Sequence, residues 1–122
     1  MTRLLVLIAA AVSLGAAAVP AGGDEAMQRL ARERGCSTCH RIWPSPGNNT
    51  AVPYAPSWHE VASRYRGRPG AEDALTRIVI GGSDPEKRHW KNQAAFASMP
   101  ANEVEASPEE VRALVGWILS LR

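Results

Sequence analysis

Cysteine is scarce: the 122 residues contain two. Two are too few for a scaffold stapled by several disulfides, and too few for a four-thiolate zinc or iron–sulfur centre. Charge of one sign is lacking as well. Lys and Arg total 14 against 12 Asp and Glu, a formal net charge of +2, whereas nucleic-acid binding leaves a basic stripe. No apolar run reaches the ~20 residues of a membrane-spanning helix; the longest, Leu4 to Val12, thins into Ser13, Gly15 and Pro20. No segment reads as a strand, and no internal repeat or low-complexity stretch is visible. The length points to one domain, since domains run to roughly 100–200 residues. A nucleic-acid partner, a multi-domain enzyme and a cysteine-stapled toxin are set aside on these grounds.

What is present begins with an export signal. Thr2 and Arg3 precede the apolar run, and small residues follow through Ala18-Val19-Pro20-Ala21-Gly22-Gly23. A positive start, an apolar middle and a small-residue end are the three parts of a secretory leader. Cleavage after Ala21 puts Val19 and Ala21 at the two positions that must be small, and cleavage after Ala18 serves nearly as well. The expected division is a signal peptide over 1–21 and a domain over 22–122, one positive charge poorer without Arg3. An uncleaved anchor competes with this reading, and membrane attachment is expected only in that case.

The domain alternates helical patterns with loops. Asp24 to Arg34 sets Ala26, Met27, Leu30 and Ala31 on one face and closes at Gly35, a residue suited to the left-handed cap. A short helix is expected over Ser57 to Arg64, and another over Ala71 to Ile80 with Leu75, Ile78 and Val79 buried. The last helix has the clearest start: Ser107 caps it, Pro108 suits the first position and Glu110 completes a capping box. Val111, Leu114, Val115 and Ile118 form its apolar stripe. Trp117 is expected to pack on the first helix, with Gly116 permitting close approach there. The loops at 41–56 and 82–106 are longer than compact domains usually carry. Small domains often close such gaps with a staple, metal or cofactor.

Cys36-Ser37-Thr38-Cys39-His40 is a C-x-x-C-H sequence, which reads as c-type haem attachment. Two thiols three positions apart can reach the two vinyl groups of one porphyrin and form thioethers. His40, immediately next, can turn its imidazole under the iron. Attachment consumes both thiols, in keeping with an exported chain that has no spare cysteine. A thioredoxin-like thiol pair would want a βαβ setting, and a zinc site would lack its fourth ligand. A Cys36–Cys39 disulfide would close too short a loop to add much stability.

For the iron's other axial position the candidates are Met99, His59, His89 and Met27. Met27 belongs to the core face of the first helix, His59 to a short helix, and His89 to a Lys/Arg-rich segment where solvation is the default. Met99 lies in the non-helical stretch Phe96 to Asn102 just before the capped final helix, and Pro100 stiffens that stretch. Met99 is the favoured ligand.

On these residues the chain resembles a class I cytochrome c of the small bacterial monohaem kind, over roughly Asp24 to Leu121. The match runs through a first helix ending Gly-Cys-x-x-Cys-His, a Pro-x-aromatic segment, an Ala-Glu-x-x-Leu helix, a Gly-Gly-Ser turn and a Met-Pro-x-Asn loop before the last helix. The resemblance implies an all-α fold of about four helices wrapped around one covalent haem c. It further implies that the Pro56 carbonyl accepts from the second nitrogen of His40, that the Trp90 indole N–H donates to a haem propionate, and that Arg77 contacts a propionate. Two departures stand out: a longer loop between His40 and Pro56, and extra residues from Lys91 to Phe96. Both insertions are expected to border the haem.

Iron filled on both sides by His and Met changes oxidation state without a vacancy for substrate, and Met ligation favours the ferrous form. The expected function is therefore periplasmic one-electron carriage, not enzymatic and without a small-molecule substrate. Partners would be larger periplasmic redox proteins, met transiently through a small interface. Lys87, Arg88 and Lys91 lie near the Met99 loop, where they could face an acidic partner. One alternative is a haem c subunit or dedicated acceptor of a periplasmic oxidoreductase acting on sulfur or nitrogen compounds. Another is a haem enzyme or gas sensor with an open iron position.

Overall fold

The computed structural model describes residues 23–46, 52–87, 89–96, 98–102 and 106–122. The expected signal peptide over 1–21 and Arg88 lie outside them. Among the described residues are four α-helices, α1 (Asp24–Glu33), α2 (Trp58–Tyr65), α3 (Ala71–Gly81) and α4 (Pro108–Ser120), a 3-10 turn at Cys36–Thr38, and no strand. No helix among them is long and apolar enough to cross a membrane.

Each helix has a local reason for its ends. Asp24 and Glu25 open α1 and Arg32 sits in its last turn, matching the helix dipole at both ends. Gly35, at φ +72°, then reverses the chain as expected. α2 and α4 both start with a complete capping box. Ser107 Oγ accepts from Glu110 N–H at 3.2 Å while the Glu110 carboxylate accepts from Ser107 N–H at 2.9 Å. Ser57 and Glu60 repeat the arrangement at 3.2 and 2.8 Å. An N-cap of this kind is worth about 1 kcal/mol. The Ser57 box carries the same Ser-x-x-Glu spacing as the expected one and was legible in the same way. Two further N–H groups at the start of α2, those of Trp58 and His59, donate to the carbonyls of Arg41 (2.9 Å) and Ile42 (3.1 Å). The chain leaving His40 is thereby fastened to α2.

α4 is the central element and packs on α1, α2 and α3. One apolar cluster joins Met27, Leu30 and Ala31 of α1 to Trp58, Leu114 and Trp117. Trp117 packs on α1 as expected. Its Nε1–H donates to Asp24 Oδ1 at 2.9 Å, and its ring meets Trp58 edge-on at 5.4 Å. Gly116 plays no part in this approach: a Cβ there would meet only Glu72 Oε2 of α3, at an ordinary 3.8 Å. A second cluster sets Ala106, Val111 and Val115 against Leu75, Val79 and Ile80. The buried residues of α3 are Ala71 and Thr76, whereas Leu75, Ile78 and Val79 are only half-buried. These three line the cavity described below.

Arg34, just beyond α1, makes a two-pronged contact with Glu110, Nη2 to Oε1 at 2.8 Å and Nε to Oε2 at 3.1 Å. The guanidinium, and then the Ser107 N–H, hold the Glu110 carboxyl below its ordinary pKa. Stability from a depressed carboxylate is present above its unfolded pKa and is lost as pH falls through the folded value. Glu110→Gln should therefore cost up to about 1 kcal/mol at neutral pH, the ceiling for a partly exposed pair. The gap to wild type should close as thermal unfolding is followed into acid; a gap independent of pH would contradict the assignment.

Candidate cofactor site

The thiols and His40 are delivered by one tight turn. After Gly35 reverses the chain, Thr38 N–H bonds Gly35 O (3.1 Å) and His40 N–H bonds Cys36 O (3.1 Å). Cys36 and Cys39 are unjoined and half-buried, and both line one cavity together with His40. Burial pushes the Cys36 thiol above its ordinary pKa.

His40 is held from one side. Its Nδ1 lies 2.8 Å from Pro56 O. A carbonyl can only accept, so Nδ1 carries the proton and Nε2 keeps the lone pair. Burial lowers the His40 pKa, outweighing the opposing effect of that hydrogen bond. The neutral imidazole is the form that can ligate a metal. Trp58 lies nearly parallel to the ring, 6.1 Å away.

The rest of the lining is mainly apolar. Leu75, Ile78 and Val79 come from α3, and Val111, Leu114, Val115 and Ile118 from α4. Met99 and Pro100 enter from the loop before α4, with Met99 half-buried. At the rim Trp90 is half-buried, with the Arg64 guanidinium 4.7 Å from its ring centre and bonded to the His89 carbonyl. Such a cation–aromatic contact orders both groups.

The two sequence insertions meet at this cavity. Ala95 N–H donates to Pro53 O (2.7 Å) and Phe96 N–H to Tyr54 O (3.2 Å). The Tyr54 and Phe96 rings stack at 5.2 Å. Both line the cavity, yet they remain 60% and 52% exposed. Nothing in the local sequence of either segment announced this pairing, because its partners lie some forty residues apart.

Of the other candidates, three stand off the cavity and one at its rim. Arg77 is exposed and does not line the cavity; with 100° per residue it falls opposite Leu75 and Val79 on α3. That register does not support the propionate contact implied by the resemblance. His59 stacks on Trp43 at 3.6 Å and is also off the cavity. Met27 is in the α1 core, and His89 is an exposed rim residue.

Two thiols, one neutral imidazole and one thioether around apolar walls fit a flat hydrophobic group carrying a metal and two addition-ready bonds. They do not fit a bare ion: among the described residues no group of three or more His, Cys, Asp or Glu could hold one. The comparisons with known proteins agree. The cytochrome c family model matches residues 25–122. The chain belongs to the cytochrome c family. It is 36% identical over 94 residues to cytochrome c2 of Rhodocyclus tenuis, covering 76% of this chain and 89% of that one. Its fold is similar to that of cytochrome c552 of Nitrosomonas europaea, with a TM-score of 0.61 at 27% identity over 78% of this chain and 99% of that one. A class 1 cytochrome, MtoD of Sideroxydans lithotrophicus, is similar at a TM-score of 0.55 and 32% identity, over 79% and 92% of the two chains. The protein is accordingly a small class I c-type cytochrome with one covalent haem c, an electron-transfer haem protein of all-α fold. Replacing both thiols, Cys36→Ala with Cys39→Ala, should leave no haem stain on a denaturing gel; a stain that persists would show attachment elsewhere.

Proposed function

We propose that this cytochrome is an exported, periplasmic one-electron carrier, its porphyrin tethered through Cys36 and Cys39 and its iron held by His40 and Met99. The observation that carries the reading is the His40–Pro56 hydrogen bond. It fixes the plane and tautomer of the imidazole and leaves Nε2 as the donor atom in a cavity shared with both thiols and Met99. When bound, haem c supplies a one-electron couple between ferrous and ferric iron. Pro56 makes the imidazole the more basic ligand, and Met99 offers a soft sulfur that favours the reduced metal. The apolar walls from α3 and α4 leave few polar groups to reorganise around a change of one charge. With His40 and Met99 both holding the metal, the site would serve carriage and not substrate chemistry. At the rim Trp90, ordered by the Arg64 guanidinium, offers an N–H donor to a propionate carboxylate.

Export rests on the residues 1–21, which read as a cleaved leader. Partner contact would be small and brief, and the stacked Tyr54 and Phe96 rings give it an exposed apolar centre at the cavity mouth. Lys87 also lines the cavity but is offset by Asp84 at 3.6 Å, and Lys91 is exposed. Steering by charge is therefore weak.

Met99→Ala should abolish the Met–Fe(III) charge-transfer absorption and lower the reduction potential, while the haem stays attached. A variant spectrum matching wild type would move the ligand to a histidine. The intact mass of the secreted protein should equal residues 22–122, or 19–122 for the earlier cleavage, plus one haem. A mass that includes the leader would overturn cleavage.

A further inference from the structure

Ser83 is bonded to Met99 in both directions. Its N–H donates to the Met99 carbonyl at 2.9 Å, and its Oγ accepts from the Met99 N–H at 2.7 Å, across 16 positions of sequence. Gly82 makes the approach possible. It sits at φ +81°, and a Cβ there would come within 3.2 Å of Met99 O and 3.1 Å of Ala101 N. On the far side the Asn102 N–H reaches the Val79 (3.1 Å) and Ile80 (3.2 Å) carbonyls, closing two of the open acceptors at the end of α3. α3 is itself packed on α4 through Leu75, Val79 and Ile80. The Met99 backbone is thus held to a packed helix end on both sides, and among the described residues the Ser83 hydroxyl is the single side-chain atom in that attachment.

We infer that Ser83 is a positioning residue for the Met99 thioether: the reciprocal Ser83–Met99 pair keeps the sulfur on the iron and slows its displacement by competing ligands. The inference rests on Met99 being the ligand, as proposed above. A neutral thioether is a weak ligand for ferric iron, so its retention depends on how firmly the chain confines it. Without the hydroxyl, the half-buried Met99 N–H has an acceptor only when the loop opens to water. The closed loop loses its advantage by about the worth of one hydrogen bond.

The test uses the ferric holoprotein and follows loss of the Met–Fe(III) charge-transfer absorption on mixing with imidazole. Ser83→Ala should raise the displacement rate roughly tenfold, equivalent to about 1.4 kcal/mol. Ser83→Thr, which keeps the hydroxyl, should stay near the wild-type rate. Glu110→Gln, which weakens the Arg34 contact but keeps an oxygen to accept from the Ser107 N–H, should leave the rate unchanged. An unchanged rate in Ser83→Ala overturns the inference while leaving Met99 as ligand. So does an equal acceleration in Ser83→Thr or in Glu110→Gln, since the hydroxyl would then not be the cause. Absence of the absorption from the wild-type protein overturns the ligand reading and this inference together.

Discussion

The fold depends on a cavity that the chain cannot fill by itself. Leu75, Ile78 and Val79 of α3 and Ile118 of α4 carry the apolar pattern of core residues, yet they stop half-buried because the cavity lies in front of them. Helices of 8–13 residues are marginal in water and need tertiary burial to persist. α4 finds part of that burial against α1 through Trp117, Leu30 and Met27. For α3 and the loop before α4, much of the apolar surface faces the cavity. A bound apolar group completes the core, so the cofactor is a structural member as well as the seat of electron transfer.

The same arrangement explains how side chains from distant parts of the chain come to one place. Gly35 reverses the backbone after α1 and the 3-10 turn delivers Cys36, Cys39 and His40. The Arg41 and Ile42 carbonyls then cap the start of α2, which brings Pro56 beside His40. Across the cavity wall, the end of α3 holds Met99 through Ser83. The segments carrying His40 and Met99 are each tied to a helix terminus by backbone hydrogen bonds. Rigid attachment of that kind keeps ligand movement small when the metal changes charge, as rapid electron carriage requires.

The features legible in the sequence were those encoded locally. Cys36, Cys39 and His40 announce themselves by spacing, α1 and α4 by period and caps, and Met99's position at the cavity by its place in a proline-stiffened loop. What escaped was set by the third dimension. That Leu75, Ile78 and Val79 line a cavity was hidden, because a helix stripe looks the same whether it faces protein or cofactor. Arg77 lies on the far side of α3 from the cavity, a register that its motif alone does not reveal. Gly116 was read for space that α1 does not use. The pairing of Pro53 and Tyr54 with Ala95 and Phe96, and the Ser83–Met99 bonds, join residues with no sequence signal linking them. The Ser57 capping box is different: its spacing was as plain as that of Ser107.

The most direct test of the cavity-centred account is circular dichroism of the wild-type chain prepared without haem, its two thiols free, beside the holoprotein in the same buffer. The account predicts that the haem-free chain lacks most of the holoprotein's helical signal and shows no cooperative thermal transition. A haem-free chain with native helix content and a sharp unfolding transition would contradict it.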